Sequence, residues 1–91
     1  MKRIRDLMGD VLREEGAEEL EMVVRLKEAW EDVVGEKKAG KTAPYKLEGG
    51  RLYIKVESHV WAQELHYDVE KIKRRIKKVL GIEIERIITK S

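Results

Sequence analysis

A two-layer α+β fold is predicted for this chain, with a three-stranded sheet packed against helices in the order helix, helix, strand, strand, helix, strand. Apolar residues alternate with polar ones over residues 51–57, as in a strand with one buried face. A Gly-Gly pair precedes that strand, and helical spacing of apolar residues begins directly after it, at Ser58. The 91 residues are enough for one globular domain and too few for two.

Two helices are predicted before the sheet. The first occupies residues 1–16, because apolar residues recur at helical spacing from Ile4 to Leu12 and Gly16 is well placed as a C-terminal cap. The second runs from about residue 18 to residue 34 and ends at Gly35. Its first turn is acidic, which the helix dipole favours. The domain that contains the sheet is therefore expected to cover residues 17–91.

A basic loop and a β-hairpin follow the second helix. Residues 36–42 are polar and contain three lysines, which predicts the longest irregular segment of the protein. Pro44 is expected at the start of a short strand, because proline cannot donate to a β-ladder. The sequence Glu48-Gly49-Gly50-Arg51 predicts a tight turn, since paired glycines supply the positive φ that primed turns require.

One long helix and a last strand complete the predicted fold. Ser58 is suited to cap the helix, which extends to about Leu80 before Gly81. Its apolar side is expected to consist of Trp61, Leu65, Val69, Ile72, Ile76 and Val79. In the final strand, Ile82, Ile84 and Ile88 alternate with Glu83, Glu85 and Ile87. The intervening helix permits this strand to lie parallel to a hairpin strand, but the sequence leaves the strand order open.

The composition narrows the class of protein. The chain contains no cysteine, which excludes disulfides, zinc–thiolate sites and a thiol nucleophile. No apolar run is long enough to cross a membrane and no signal-peptide core follows Met1, so a soluble cytoplasmic protein is expected. Charged residues make up 42% of the chain, which is typical of proteins from hot environments.

The charges are separated along the chain although the net charge is only +2. Residues 13–32 contain eight acids and three bases, whereas six of the eight residues from 71 to 78 are basic and none is acidic. This asymmetry favours an electrostatic partner. The acidic second helix is a candidate protein-docking surface, although a solvated helix face is the commoner explanation.

Catalysis has little support in the sequence. His59 and His66 are seven residues apart, and neither is spaced from a carboxylate as a metal or nucleophile motif requires. No phosphate-cradling glycine motif is present. We therefore expect no enzyme, no cofactor and no small-molecule substrate. Three large apolar residues, Trp30, Trp61 and Leu65, are instead predicted to form part of the structural core.

A basic stripe on the long helix is the best candidate for a binding surface. Tyr67, Lys71, Arg74 and Lys78 share one side of the predicted helix, and Lys73, Arg75 and Lys77 widen it. Such a surface suits phosphates and a stacked base. The alternative is a solvated helix face with bases near its C-terminus. The loop lysines extend the same surface if the fold brings them close; they are Lys37, Lys38 and Lys41.

Several segments taken together resemble the DciA family of bacterial replicative-helicase operators or loaders, long known only as a domain of unknown function. The resemblance covers about residues 20–89. The segments that carry it are Trp30-Glu-Asp-Val-Val-Gly35, Thr42-Ala-Pro44, Leu47-Glu-Gly-Gly-Arg-Leu52, Tyr-Ile-Lys-Val56, Ser58-His-Val-Trp-Ala-Gln-Glu-Leu65 and Gly81-Ile-Glu-Ile-Glu-Arg-Ile-Ile.

The resemblance implies a KH-like domain that associates with a DnaB-type replicative helicase, helps to place it on single-stranded DNA and binds some DNA itself. Many members of the family carry a long, basic, disordered extension beside the domain, which is not expected in this sequence, whose last residue is Ser91. This chain also has no Gly-x-x-Gly loop, so the backbone clamp of standard KH domains is not expected. Two alternatives remain open: a protein-interaction module without nucleic-acid binding, and a KH-like RNA-binding protein.

Overall fold

The computed structural model describes residues 17–91, so the predicted N-terminal helix over residues 1–16 lies outside the described part. Five helices and three strands follow. The helices are α1 (Ala17–Glu28), α2 (Trp30–Val34), α3 (Glu36–Ala39), α4 (His59–Tyr67) and α5 (Val69–Leu80), and the strands are β1 (Thr42–Glu48), β2 (Arg51–Val56) and β3 (Arg86–Lys90). The predicted two-layer, KH-like α+β fold is confirmed.

The sheet has the order β1-β2-β3, with β2 in the centre. β1 pairs with β2 in the antiparallel sense and β3 pairs with β2 in the parallel sense, which settles the order that the sequence left open. Gly49 and Gly50 have φ values of 56° and 79° and form the predicted turn between β1 and β2. β1 begins two residues before Pro44, and its register shifts directly after this proline. Proline is tolerated there because β1 is an edge strand.

The core lies between one face of the sheet and the helices. Leu52 and Ile54 on β2 are fully buried, as are Leu65 on α4 and Ile76 on α5. Trp30 is 4% exposed, whereas Trp61 is only partly buried and packs against the edge of the core. The alternation along β2 thus decides which face of the sheet the helices cover.

The predicted long helix is divided at Asp68, which has φ −101° and ψ 17°. A straight helix over residues 59–80 would measure about 33 Å, whereas the six residues of β2 span only about 20 Å. The break lets both Leu65 on α4 and Ile76 on α5 reach the core. No loop of the Gly-x-x-Gly type separates the two helices, in agreement with the sequence.

Two further predicted elements differ from the structure. The second helix is interrupted at Ala29, and the predicted irregular segment over residues 36–42 contains the short helix α3. The last strand begins at Arg86, not at Ile82, because the backbone N–H groups of Glu85 and Arg86 both donate to the carbonyl of Gly50. Ile84 and Ile87 are therefore buried, and the predicted alternation that placed Ile87 among the outward residues is wrong.

A buried hydrogen-bond relay joins α2, α3 and β1. The indole N–H of Trp30 donates to Thr42 Oγ1 at 2.9 Å, and the Thr42 hydroxyl donates to the carbonyl of Lys38 at 2.6 Å. Thr42 is 6% exposed, so water does not replace these partners. The relay fixes α3 and its lysines against the first strand.

We predict that Thr42→Val lowers the free energy of unfolding by about 1–3 kcal/mol, because it leaves the Trp30 N–H without a partner in a buried site. Urea denaturation measures this loss. Thr42→Ser is the control, since it retains the hydroxyl and costs about 0.8 kcal/mol for one methyl group. Equal stability of Thr42→Val and the parent protein would show that the relay does not stabilise the fold.

Candidate nucleic-acid interface

The basic stripe of α5 is exposed as predicted from its helical spacing. Lys71, Arg74 and Lys78 lie on the solvent side of the helix, opposite the buried Ile72 and Ile76. Within residues 17–91 none of these three bases forms an ion pair or a side-chain hydrogen bond. All three side chains are exposed on this side of α5.

Tyr67 lies at the end of the stripe nearest to α4. It is the last residue of α4 and its side chain is 88% exposed, the largest value among the exposed large hydrophobic residues of the described chain. An exposed ring of this size has no role in the core. Together with Lys71, Arg74 and Lys78 it forms the surface that we call the α5 stripe.

The other three bases of α5 have structural partners. Arg75 Nη1 donates to the carbonyl of Val33 at 3.1 Å and so holds α5 against the end of α2. Lys73 Nζ donates to the carbonyl of Glu85 at 3.0 Å. Lys77 forms an ion pair of 2.9 Å with Glu83. The Lys73 and Lys77 contacts tie α5 to the segment that precedes β3, and the Arg75 contact ties it to α2. Half of the basic residues of α5 therefore have a structural role that needs no ligand.

The fold brings the lysines of α3 close to the start of α5. Lys38 forms an ion pair with Asp68 at the junction of α4 and α5. Lys37 is exposed and lines a groove between α3 and α4 that also includes Trp61. Lys41 instead pairs with Glu57 at 3.2 Å. Lys37 is thus the member of this group with no ion pair in the described chain.

The Lys38 ammonium holds the pKa of Asp68 below its ordinary value of 3.8, through a hydrogen bond and then through its charge. The charges of Lys71 and Arg75 act in the same direction. A carboxyl group with a lowered pKa stabilises the fold above its ordinary pKa, and this stabilisation disappears as the pH falls through the lower, folded-state value. Asp68 therefore neutralises part of the charge at one end of the α5 stripe.

The helix layer also carries a surface of opposite charge. Leu20 and Val24 are 46% and 49% exposed on α1, one turn apart, and Glu18 and Glu21 are exposed beside them. We call these four residues the α1 patch. An apolar centre with a polar rim is the arrangement of a protein interface, which makes the α1 patch a candidate docking surface.

The structure offers no metal centre and no membrane span in residues 17–91. No group of histidine, aspartate or glutamate residues in this part of the chain is arranged to hold a metal ion. None of its helices is both long and apolar enough to cross a membrane. His59 and His66 are exposed on α4.

Sequence reasoning missed the second face of the sheet as a site. The helices cover one face, and the outward side chains of the three strands include Tyr45, Tyr53 and several bases. The alternation in β2 places Arg51, Tyr53 and Lys55 on one side and was the available signal. The pairing of β2 with β3 adds Arg86 and Lys90, which no local pattern predicts.

Comparison with known families gives one finding. A family model described as Dna[CI] antecedent, DciA, matches residues 3–89. No curated protein matches the chain.

We predict that Asp68→Asn lowers the urea midpoint at neutral pH, because it removes the charge that pairs with Lys38. The difference from the parent protein should vanish as the pH falls well below 3.8, where Asp68 itself becomes protonated. Urea titrations across this pH range measure it. Glu64→Gln is the control, since Glu64 is exposed and has no ion pair within residues 17–91. A difference that persists unchanged in acid would contradict a role for the charge.

Proposed function

Because the chain belongs to the DciA family, we propose that it is a non-enzymatic accessory factor of DNA replication that binds a DnaB-type replicative helicase and single-stranded DNA. Membership of the family supports a role as a helicase-loader-like replication factor. The proposal adds two surfaces to this role: the α5 stripe for DNA and the α1 patch for the helicase. Such a factor would act in the cytoplasm, at the nucleoid.

The observation that carries the DNA-binding part is the set of exposed bases on α5 that form no ion pair with any residue from 17 to 91. Lys71, Arg74 and Lys78 are separated by three and four residues, so they follow one another at about 4.5 and 6 Å along the helix axis. Phosphates neutralised by such a row release counterions, which supplies affinity that is independent of sequence. Tyr67, four residues before Lys71 and exposed at the end of α4, offers a ring on which one base can stack.

The remaining candidate residues flank this row. Lys37 extends the positive surface towards α3. We assign Lys38 and Arg75 to positioning, because the first is paired with Asp68 and the second donates to Val33. Lys41 is paired with Glu57 and lies at the margin of the proposed interface. A strand bound along α5 would therefore rely on exposed bases and leave these contacts intact.

Charge and exposure support helicase docking at the α1 patch. The α5 stripe is positive and the α1 patch is negative, so one polyanion cannot favour both surfaces. Leu20 and Val24 supply the apolar centre that a protein interface needs, and Glu18 and Glu21 supply a polar rim. Separate surfaces allow the protein to hold both partners at once, as an assembly factor must.

Neutralising single bases of the α5 stripe should weaken DNA binding in a salt-dependent way. We expect Lys71→Gln, Arg74→Gln and Lys78→Gln each to reduce the slope of log affinity against log salt by about 0.7, the value for one phosphate contact on a single strand. Fluorescence anisotropy with a labelled oligodeoxythymidine measures the slope. Lys27→Gln removes the same charge from an exposed position on α1 and should leave the slope unchanged. If the three α5 variants had the same slope as Lys27→Gln and the parent protein, the α5 stripe would not be the interface.

Replacing an apolar residue of the α1 patch should weaken helicase binding alone. We expect Val24→Thr, which keeps the shape of the side chain but removes its apolar character, to reduce capture of a DnaB-type helicase without changing affinity for DNA. The matched control is Val60→Thr on α4, where the valine is 61% exposed. Pull-down with nuclease present measures the capture. Equal loss in both variants would contradict the assignment of the helicase surface.

A further inference from the structure

The outward face of the sheet combines positive charge with aromatic rings. In the β2–β3 pair, Arg51 lies opposite Arg86, Tyr53 opposite Ile88, and Lys55 opposite Lys90. On β1, Lys46 lies opposite Tyr53 and Glu48 opposite Arg51. These side chains are exposed or half-buried, while Leu47, Leu52, Ile54 and Ile87 point into the core. We call this surface the sheet face.

The charge of the sheet face is strongly positive. It carries five bases, Lys46, Arg51, Lys55, Arg86 and Lys90, and one acid, Glu48. Glu48 lies 3.0 Å from Lys46 and 3.9 Å from Arg51. The other three bases, Lys55, Arg86 and Lys90, have no ion pair within residues 17–91. Like-charged residues lie opposite each other on β2 and β3, which opposes folding, so an anion bound between the strands relieves a repulsion that the fold itself creates.

Two tyrosines form the aromatic part of this surface. The rings of Tyr45 and Tyr53 are 6.1 Å apart between centroids and are tilted by 53°. Tyr45 is exposed as the alternation from Thr42 requires, and the shift of register after Pro44 leaves Lys46 exposed beside it. Lys46 Nζ lies 5.3 Å from the centroid of Tyr53. The free energy of stacking a base on an aromatic ring exceeds that of an exposed cation–π contact. A base that stacks on Tyr53 would therefore displace Lys46, whose ammonium group could then bind a phosphate.

A shallow depression of about 400 Å³ marks one end of the sheet face. It is lined by Tyr45, Lys55, Lys90 and Ser91. An aromatic ring and two ammonium groups thus surround one concave space. This arrangement places a stacking surface and two phosphate-binding cations at the same point of the sheet.

We propose that the sheet face is a second binding site for single-stranded DNA, in which Tyr45 and Tyr53 stack bases while Lys55, Arg86 and Lys90 bind phosphates. The choice of DNA as the ligand rests on the function proposed above. Stacking on a flat sheet requires bases that are free of pairing, which a duplex does not offer. An acidic protein would satisfy the charges but would leave the two adjacent rings without a planar partner.

The sheet face is separate from the α5 stripe. The stripe lies on the solvent side of the helix layer, and the sheet face lies on the opposite side of the two-layer domain. Glu83 and Glu85 lie in the segment that connects α5 with β3, where they interrupt the positive charge. Variants in one surface therefore leave the other intact, and the two sites are testable independently.

Stacking is tested by comparing two labelled strands of equal length, an oligodeoxythymidine and the same strand with abasic sites. The parent protein should prefer the strand with bases. Tyr45→Leu and Tyr53→Leu should each reduce affinity for this strand by at least about five-fold while leaving affinity for the abasic strand unchanged. His59→Leu, which removes an exposed ring from α4 outside both surfaces, is the control and should bind both strands like the parent protein. Unfolding midpoints establish that each variant is folded, and Tyr45, which is 41% exposed, covers the case in which Tyr53→Leu is unstable.

The charges of the sheet face give a second readout. Lys55→Gln and Lys90→Gln should weaken binding of both strands equally, because phosphates remain in the abasic strand. Glu48→Gln should strengthen binding, since it releases Lys46 and Arg51 from their carboxylate partner. A gain of affinity is not an outcome that damage to the fold would produce.

The outcomes separate this inference from the function proposed above. If the sheet-face variants bind like the parent while the α5-stripe variants are weakened, the sheet face is not a binding site and the proposed function stands. If the sheet-face variants lose affinity and the α5-stripe variants do not, the sheet face is the site and the assignment of the α5 stripe fails. Absence of any binding by the parent protein overturns both.

Discussion

The strict alternation of side chains along β2 is the constraint on which the rest of the structure depends. Leu52, Ile54 and Val56 point into the core and are the surface against which the helices pack. Because the period of a strand is two, the residues between them must point to the other side. A shift of one residue would bury Tyr53 and Lys55 and expose the core. One strand thereby determines both the covered face and the open face of the domain.

The high charge content has different meanings at different positions. Lys38, Lys77 and Arg75 hold elements together through Asp68, Glu83 and the carbonyl of Val33. Exposed ion pairs of this kind contribute little each. The bases of the α5 stripe have no such partner within residues 17–91, and neither do three of those on the sheet face. Bases that have a partner within residues 17–91 are therefore assigned a structural role, and exposed bases that have none there are the candidates for binding.

Much of the fold was predictable because its signals are local: the Gly49-Gly50 turn and the alternation in β2 each act over a few residues. The break at Asp68 was not predictable, because the helical spacing of apolar residues continues through this position. The reason for the break is the short sheet beneath the helix, which no local pattern reveals. The Lys38–Asp68 and Arg75–Val33 contacts could not be predicted either, because their residues are 30 and 42 positions apart in the sequence. The sheet face could not be predicted as a whole, because Arg86 and Lys90 join it only through the pairing of β3 with β2, and the sequence left the strand order open.

We propose above that this domain binds single-stranded DNA through the α5 stripe and the sheet face. A titration of ¹⁵N-labelled protein with a short oligodeoxythymidine, followed by two-dimensional NMR, tests it most directly. We expect amide shifts in two groups, one around Tyr53 and Ile88 on the sheet and one from Lys71 to Lys78 on α5, with none around Val24. Shifts confined to α1, or no shifts at low salt, would show that neither surface binds DNA.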